Sequence, residues 1–328
     1  MKRDITLDYA KGLAILLMMI GHCYSTENGI LTLIYSFHMP CFFIISGIIY
    51  GKKLHFSGGG VQRFKPLKTI IHLMIPYFVF ESAFALLLAI LNPQGDLLAT
   101  LGAHLASVVT CKGVTATWYL SCIVFVELAF MLLYRYLRGW GIAVAELLFV
   151  AGMAVAVLQP GTMVVPVRCA IGMGFFGMGF FYGEKIGAEQ KECRLWAVGI
   201  LVAVFAASAL RNGMVSLVSL RLENPVLYVI SSLCGTMLLL WIAQVLCTSK
   251  MREPLRILKF LGENTLFILC THMFLVEIIR LADYKLLGNF FPRLGLAEGI
   301  TFGLVLCGIE CVMLLCWQQG KRLWIERD

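Results

Sequence analysis

Ten apolar stretches of membrane-spanning length follow one another along the 328 residues, at about 6–25, 30–50, 69–91, 117–137, 141–158, 166–186, 194–211, 225–247, 257–279 and 297–317. A helix needs ~20 residues to cross a hydrocarbon core of ~30 Å. These stretches and their short connections therefore use up the chain and leave no length for a soluble domain. Composition agrees, with 60% of residues hydrophobic and 14% charged, where a soluble domain is nearer half apolar and about a quarter charged. The expected fold is an all-α integral membrane protein of about ten transmembrane helices, a single transmembrane domain over 1–328. Asp4, Asp8 and Lys11 interrupt the N-terminal apolar run and no small-residue cleavage site follows, so the expectation is a retained first helix rather than a leader.

The formal charge of +8 reports 27 Lys and Arg against 19 Asp and Glu. With the N-terminus in the cytoplasm, 19 of the basic residues fall inside and seven outside, which predicts both termini cytoplasmic. Such an excess belongs to cytoplasmic loops, and nucleic acid is not an expected partner. The 12 cysteines form no C-x-x-C pair, so neither a disulfide framework nor a metal site is expected. The segment 51–68 combines five Lys and Arg with a triple glycine, and reads as a positive-inside loop or a polyanion-binding one. Gly172-Met-Gly174-Phe-Phe-Gly177 matches a dinucleotide fingerprint, but it lies in an apolar helix with no strand before it. Its expected use is close helix packing, like that of Gly179 and Gly183.

Ionisable side chains within spans are costly and face a bundle interior or a wet cavity. Lys11, His22, His38, His72, Glu81, Glu127, Glu146, His272, Glu277 and Glu310 are the candidates, each open to a structural reading as well as a functional one. Lys11 and His22 stand out by spacing. Eleven residues bring a helix back to within ~20° of the same face, ~16 Å further along its axis. Asp8, three residues before Lys11, is placed to pair with it. A cation at the inner edge is thus joined along one helix face to an imidazole deep in the bilayer. That stripe suits a long ligand with an anionic head and a reactive end at the imidazole. An imidazole of ordinary pKa ~6.5 is a natural base for a hydroxyl nucleophile; the alternative is a snorkelling lysine and a packing histidine. In the second span, Pro40 follows His38 and is expected to open the helix beside it.

Several runs resemble the motifs of the acyltransferase family 3 membrane proteins, which modify bacterial surface polysaccharides and other extracytoplasmic acceptors. R-D-I-T-L-D-Y-A-K-G-L-A-I-L-L-M-M-I-G-H (3–22) is similar to the family's first-helix signature, a basic residue and His separated by ten others. F-H-M-P-C-F-F-I-I-S-G (37–47), I-P-Y (75–77), Trp118, Leu120 and Glu127, and G-E-N-T-L-F-I-L-C-T-H (262–272) resemble later motifs in order. The resemblance implies an acyl-CoA donor, usually acetyl-CoA, entering from the cytoplasm, and a sugar or glycolipid acceptor hydroxyl, in a bacterial inner membrane and without a metal. Residue by residue it implies Lys11 at the CoA phosphates, with Asp8, Arg63 and Lys68 on the same side. His22 would be the general base, and Glu127 would orient it or hold the acceptor. His38, Ser46, Trp118, Tyr119, Asn264 and His272 would line the acyl or acceptor pocket. Ser46, Tyr119, Ser121, Asn264 and Thr265 are the candidate oxyanion donors. The chain departs from the pattern at Lys11, where many members carry Arg with its phosphate-gripping fork, and at His72. A different class, a transporter or flippase of lipid-linked sugars, would use the same ionisable residues as a translocation path. Against it, the two halves show no matched pair of broken helices.

Overall fold

The computed structural model describes residues 4–56, 66–91, 96–185, 195–248 and 255–325. They form α1 Ile5–Cys23, α2 Gly29–Tyr35, α3 His38–Phe56, α4 Pro66–Leu91, α5 Leu97–Val109, α6 Trp118–Leu137 and α7 Gly139–Leu158, followed by α8 Val164–Lys185, α9 Leu195–Asn212, α10 Pro225–Thr248, α11 Arg256–Glu263, α12 Thr265–Ala282 and α13 Glu298–Ile325. Among the described residues the one extended pairing is a lone bridge between Ser216 and Arg221. Ten spans are long and apolar enough to cross a membrane, α2 and α3 together making one. The all-α integral membrane architecture of ten spans stands as expected. Leu147, Val150, Ile200 and Val202 are exposed, as apolar side chains facing lipid tails are free to be.

Two helices were not anticipated. The 13-residue α5 is apolar but too short to span. The predicted ninth span, 257–279, is really two helices. Arg256, Lys259 and Glu263 recur on α11 with Leu258 and Leu261 buried opposite, an amphipathic pattern that suits a boundary rather than a bilayer interior. The spanning helix begins at Thr265 and extends through Leu287.

The chain divides into two compact units, Tyr35–Leu238 and the pair Asp4–Ile34 with Leu239–Asp328. In the first, α3 and α8 form the most extensive helix pair, and glycines on both make the approach possible. A Cβ on Gly47 would strike the Phe176 carbonyl, and one on Gly179 the Ile44 carbonyl, with Gly51 and Gly183 repeating the arrangement one turn on. Two G-x-x-x-G faces therefore meet backbone to backbone, the mode by which helices associate in lipid. The opening beside His38 is also found, but at Ser36–Phe37, just before α3. Pro40 has no N–H to give the Ser36 carbonyl. That oxygen accepts instead from the hydroxyls of Ser232 at 3.0 Å and Ser231 at 3.4 Å, both on α10.

In the second unit, α1 packs against α11, α12 and α13. Asp4 caps α1, accepting from the amides of Thr6 and Leu7. A Cβ on Gly12 would run into the Leu258 carbonyl and one on Gly262 into the Asp8 carbonyl. α11 therefore lies directly on the first turns of α1.

Candidate functional site

The far end of α1 carries His22 in its last turn, half-buried. Helix ends leave carbonyls without intrahelical donors, and here Arg280 of α12 supplies them, its guanidinium donating to the His22 carbonyl at 3.0 Å and the Tyr24 carbonyl at 3.3 Å. A cation at a helix C-terminus also meets the negative end of the dipole. The chain beyond is held as firmly. Ser25 donates through Oγ and its amide to Glu298, at 2.9 and 3.2 Å. The Tyr24 hydroxyl donates to the Leu296 carbonyl at 2.9 Å. Burial, with the nearby Glu298 carboxylate as the lesser cause, raises the Tyr24 phenol above its ordinary pKa and keeps it a donor. His22 is thus presented from an anchored helix end.

Beside it lies His272 of α12, with ring centroids 5.3 Å apart and planes at 45°. Its Nδ1 is 2.8 Å from the Ile268 carbonyl oxygen. One residue earlier, Thr271 donates to both Glu310 oxygens, at 2.8 and 3.0 Å. Glu310 therefore ties α12 to α13. Asn264, at the start of α12, donates to the Phe260 carbonyl at 2.7 Å and accepts from Gln318 at 3.4 Å.

At the other end of the α1 stripe, Lys11 Nζ stands 2.9 Å from Asp8 Oδ1, with side chains 22% and 3% exposed. An ammonium has three donors, so one ion pair fixes its position and leaves hydrogens for a second anion. α1 runs unbroken from Ile5 to Cys23, so the helical rise places Lys11 and His22 ~16 Å apart along one face.

The remaining site residues belong to the first unit. Trp118 begins α6 behind a tightly held loop. Buried Glu81 of α4 accepts from the Val114 amide at 2.6 Å, the Thr115 amide at 3.2 Å, the Thr115 hydroxyl at 3.0 Å and the Thr117 hydroxyl at 2.6 Å. Gly113, at φ +74°, packs where a Cβ would strike Trp118. From another side Arg168 of α8 donates to the Lys112 and Val218 carbonyls, and its guanidinium lies 4.8 Å over the Trp118 ring. The next residue, Tyr119, sits among Phe42, Phe43 and Ser46 of α3. His38 is buried with its ring 4.9 Å from Tyr35. Glu127 is buried and accepts from the Tyr50 hydroxyl at 2.8 Å, while Lys53 lies over the Tyr50 ring. Lys68 is exposed in the first turn of α4. Arg63 lies outside the described residues, as do the rest of residues 57–65.

Glu81 builds a loop, Glu310 joins two helices, Glu277 lies 4.0 Å from Arg280, and His72 is exposed on α4. Sequence reasoning missed two features. Arg280 is one of the seven basic residues that the charge pattern places outside, and its reach to the end of α1 depends on how α12 packs. The resemblance implied His272 in the pocket, but its ring contact with His22 spans 250 positions and no helical spacing announces it.

The arrangement offers an anchored imidazole beside a second imidazole and, a helix-length away, a held cation. No curated protein and no solved structure matches the chain. The family described as an acyltransferase domain, acyltransferase family 3, matches residues 4–317, nearly the whole length. The chain therefore belongs to the acyltransferase-3 family and is a membrane acyltransferase.

Proposed function

We propose that the enzyme is an O-acyltransferase. It takes an acyl group, acetyl in the first instance, from acyl-CoA at the cytoplasmic face and passes it to a hydroxyl of an extracytoplasmic sugar, polysaccharide or glycolipid. The observation that carries this reading is the α1 stripe, with Lys11 held by Asp8 at one end and His22 at the anchored other end. In this scheme both termini are cytoplasmic. Lys11 grips a phosphate of the donor and the pantetheine arm runs toward His22; the family resemblance assigns Lys68 and Arg63 to donor binding as well.

The imidazole takes the proton of the acceptor hydroxyl as its oxygen attacks the thioester carbonyl. Collapse of the tetrahedral oxyanion breaks the C–S bond, and the thiolate recovers the proton from His22. The oxyanion needs a hydrogen-bond donor, and Tyr119 and Ser46 are candidates for that role. The family resemblance assigns His38, Trp118 and Asn264 to the acyl and acceptor pocket and Glu127 to the acceptor. A bundle interior keeps out the water that would hydrolyse the thioester.

The test is transfer of label from [14C]acetyl-CoA in membranes containing the enzyme, followed by extraction of the glycan and glycolipid fractions. Enzyme-dependent label in a base-labile ester supports the reading. Movement of a lipid-linked sugar across the membrane without acyl consumption contradicts it.

A further inference from the structure

His272 is 0% exposed, and its two nitrogens stand in different surroundings. A carbonyl oxygen can only accept, so Nδ1, 2.8 Å from the Ile268 carbonyl, is the protonated nitrogen. In the neutral ring Nε2 is then a bare lone pair. That atom is buried and has no hydrogen-bond partner. Buried acceptors are nearly always satisfied, and an orphan calls for an explanation. The explanation is beside it: the His22 ring, at 5.3 Å between centroids, is close enough for edges to meet after a small rotation.

A neutral imidazole that holds its lone pair toward the hydroxyl points its single N–H the other way, and that donor needs an acceptor. We propose that His272 is a positioning residue for His22, its Nε2 lone pair receiving the N–H that the His22 ring turns away from the acceptor. The opposite nitrogen of His22 is thereby aimed at the hydroxyl. His272 itself neither gains nor loses a proton; its Nδ1–H stays on the Ile268 carbonyl, and the proton in transit moves between the acceptor oxygen, His22 and the departing thiolate. A backbone carbonyl thus sets the tautomer of His272, and His272 sets that of His22, the logic of an oriented base without a carboxylate. The inference rests on His22 acting as the base.

The full chain in nanodiscs, labelled with 15N-histidine, tests it. The protein has six histidines, and the His22 resonance is assigned by its loss in His22→Gln. The expected result is one dominant His22 tautomer in the wild type and a mixture in His272→Phe. In acyl transfer, His272→Phe should lower kcat about 10–100-fold with little change in KM for the donor. His272→Gln, whose amide again offers an acceptor, should recover most of the loss. A His22 spectrum unaffected by His272→Phe overturns the proposal whatever the activity does. So does a kcat within twofold of the wild type, or a Gln variant no better than Phe. Normal transfer by His22→Ala would overturn the base assignment itself, and is read in a separate arm that leaves position 272 unchanged.

Discussion

Replacing Glu81 by Gln should destabilise the protein without touching the α1 stripe. The carboxylate accepts from two amides and two hydroxyls, with Oε1 taking the Thr115 and Thr117 hydroxyls and Oε2 the Val114 amide. Glutamine retains one acceptor oxygen. If that oxygen keeps the hydroxyl side, its NH2 group faces the Val114 N–H, and a buried backbone donor loses its partner at a cost of ~1–3 kcal/mol. The surviving bonds also lose the charge that makes them stronger, bonds to charged groups being worth ~1.5–3 kcal/mol against ~1 for neutral ones. Together these predict a loss of about 2–4 kcal/mol for Glu81→Gln. Reversible unfolding in mixed micelles, followed by tryptophan fluorescence, measures it. A double-mutant cycle with Thr117→Val adds a sharper check: removing the hydroxyl should cost at least ~1 kcal/mol more in the wild type than in Glu81→Gln. A loss below ~0.5 kcal/mol for Glu81→Gln would refute the reasoning, because a saturated buried carboxylate cannot be exchanged so cheaply.

Three further outcomes follow from the same structure. Gly179→Leu should prevent α3 and α8 from closing and yield aggregated protein, whereas Gly199→Leu, with open space around it, should behave as the wild type in size-exclusion chromatography. Lys11→Ala should raise KM for the acyl-CoA donor about tenfold or more while kcat changes less, with Lys11→Arg restoring the affinity; an unchanged KM would remove Lys11 from the donor site. Arg280→Gln should loosen the end of α1 and cost about 1–2 kcal/mol, visible as faster amide exchange at Cys23 and Tyr24. Protection equal to that of the wild type would show that the arginine is not the anchor.

Much of the architecture was legible because apolar span length is set by bilayer thickness, a constraint local to each segment. The G-x-x-x-G reading of α8 was likewise local, and it names the face that meets α3. Legibility failed where a residue's role depends on packing across distant positions. Glu81 is open in the sequence to a structural or a functional reading, because the loop that folds over its carboxylate lies 33–36 positions away. The ninth span was misplaced because the hydropathy window ran through α11, whose Gly262 permits close contact with Asp8 rather than passage through lipid. Pro40 did signal an opening near His38, but the freed carbonyl belongs four residues back, at Ser36, and its partners on α10 could not be guessed. In the site, the Asp8–Lys11 pair followed from i,i+3 spacing, whereas the meeting of His22 with His272 followed from nothing in either helix alone.

The central claim is that His22 is the base of acyl transfer, and the most direct test is the transfer rate of purified enzyme in nanodiscs with His22→Ala and His22→Gln beside the wild type. Both variants must keep the unfolding transition of the parent and its affinity for acyl-CoA. The account predicts a fall in kcat of roughly 10²–10⁴-fold for each, with donor binding intact. A variant that binds donor and transfers the acyl group within a few-fold of the wild-type rate would contradict it.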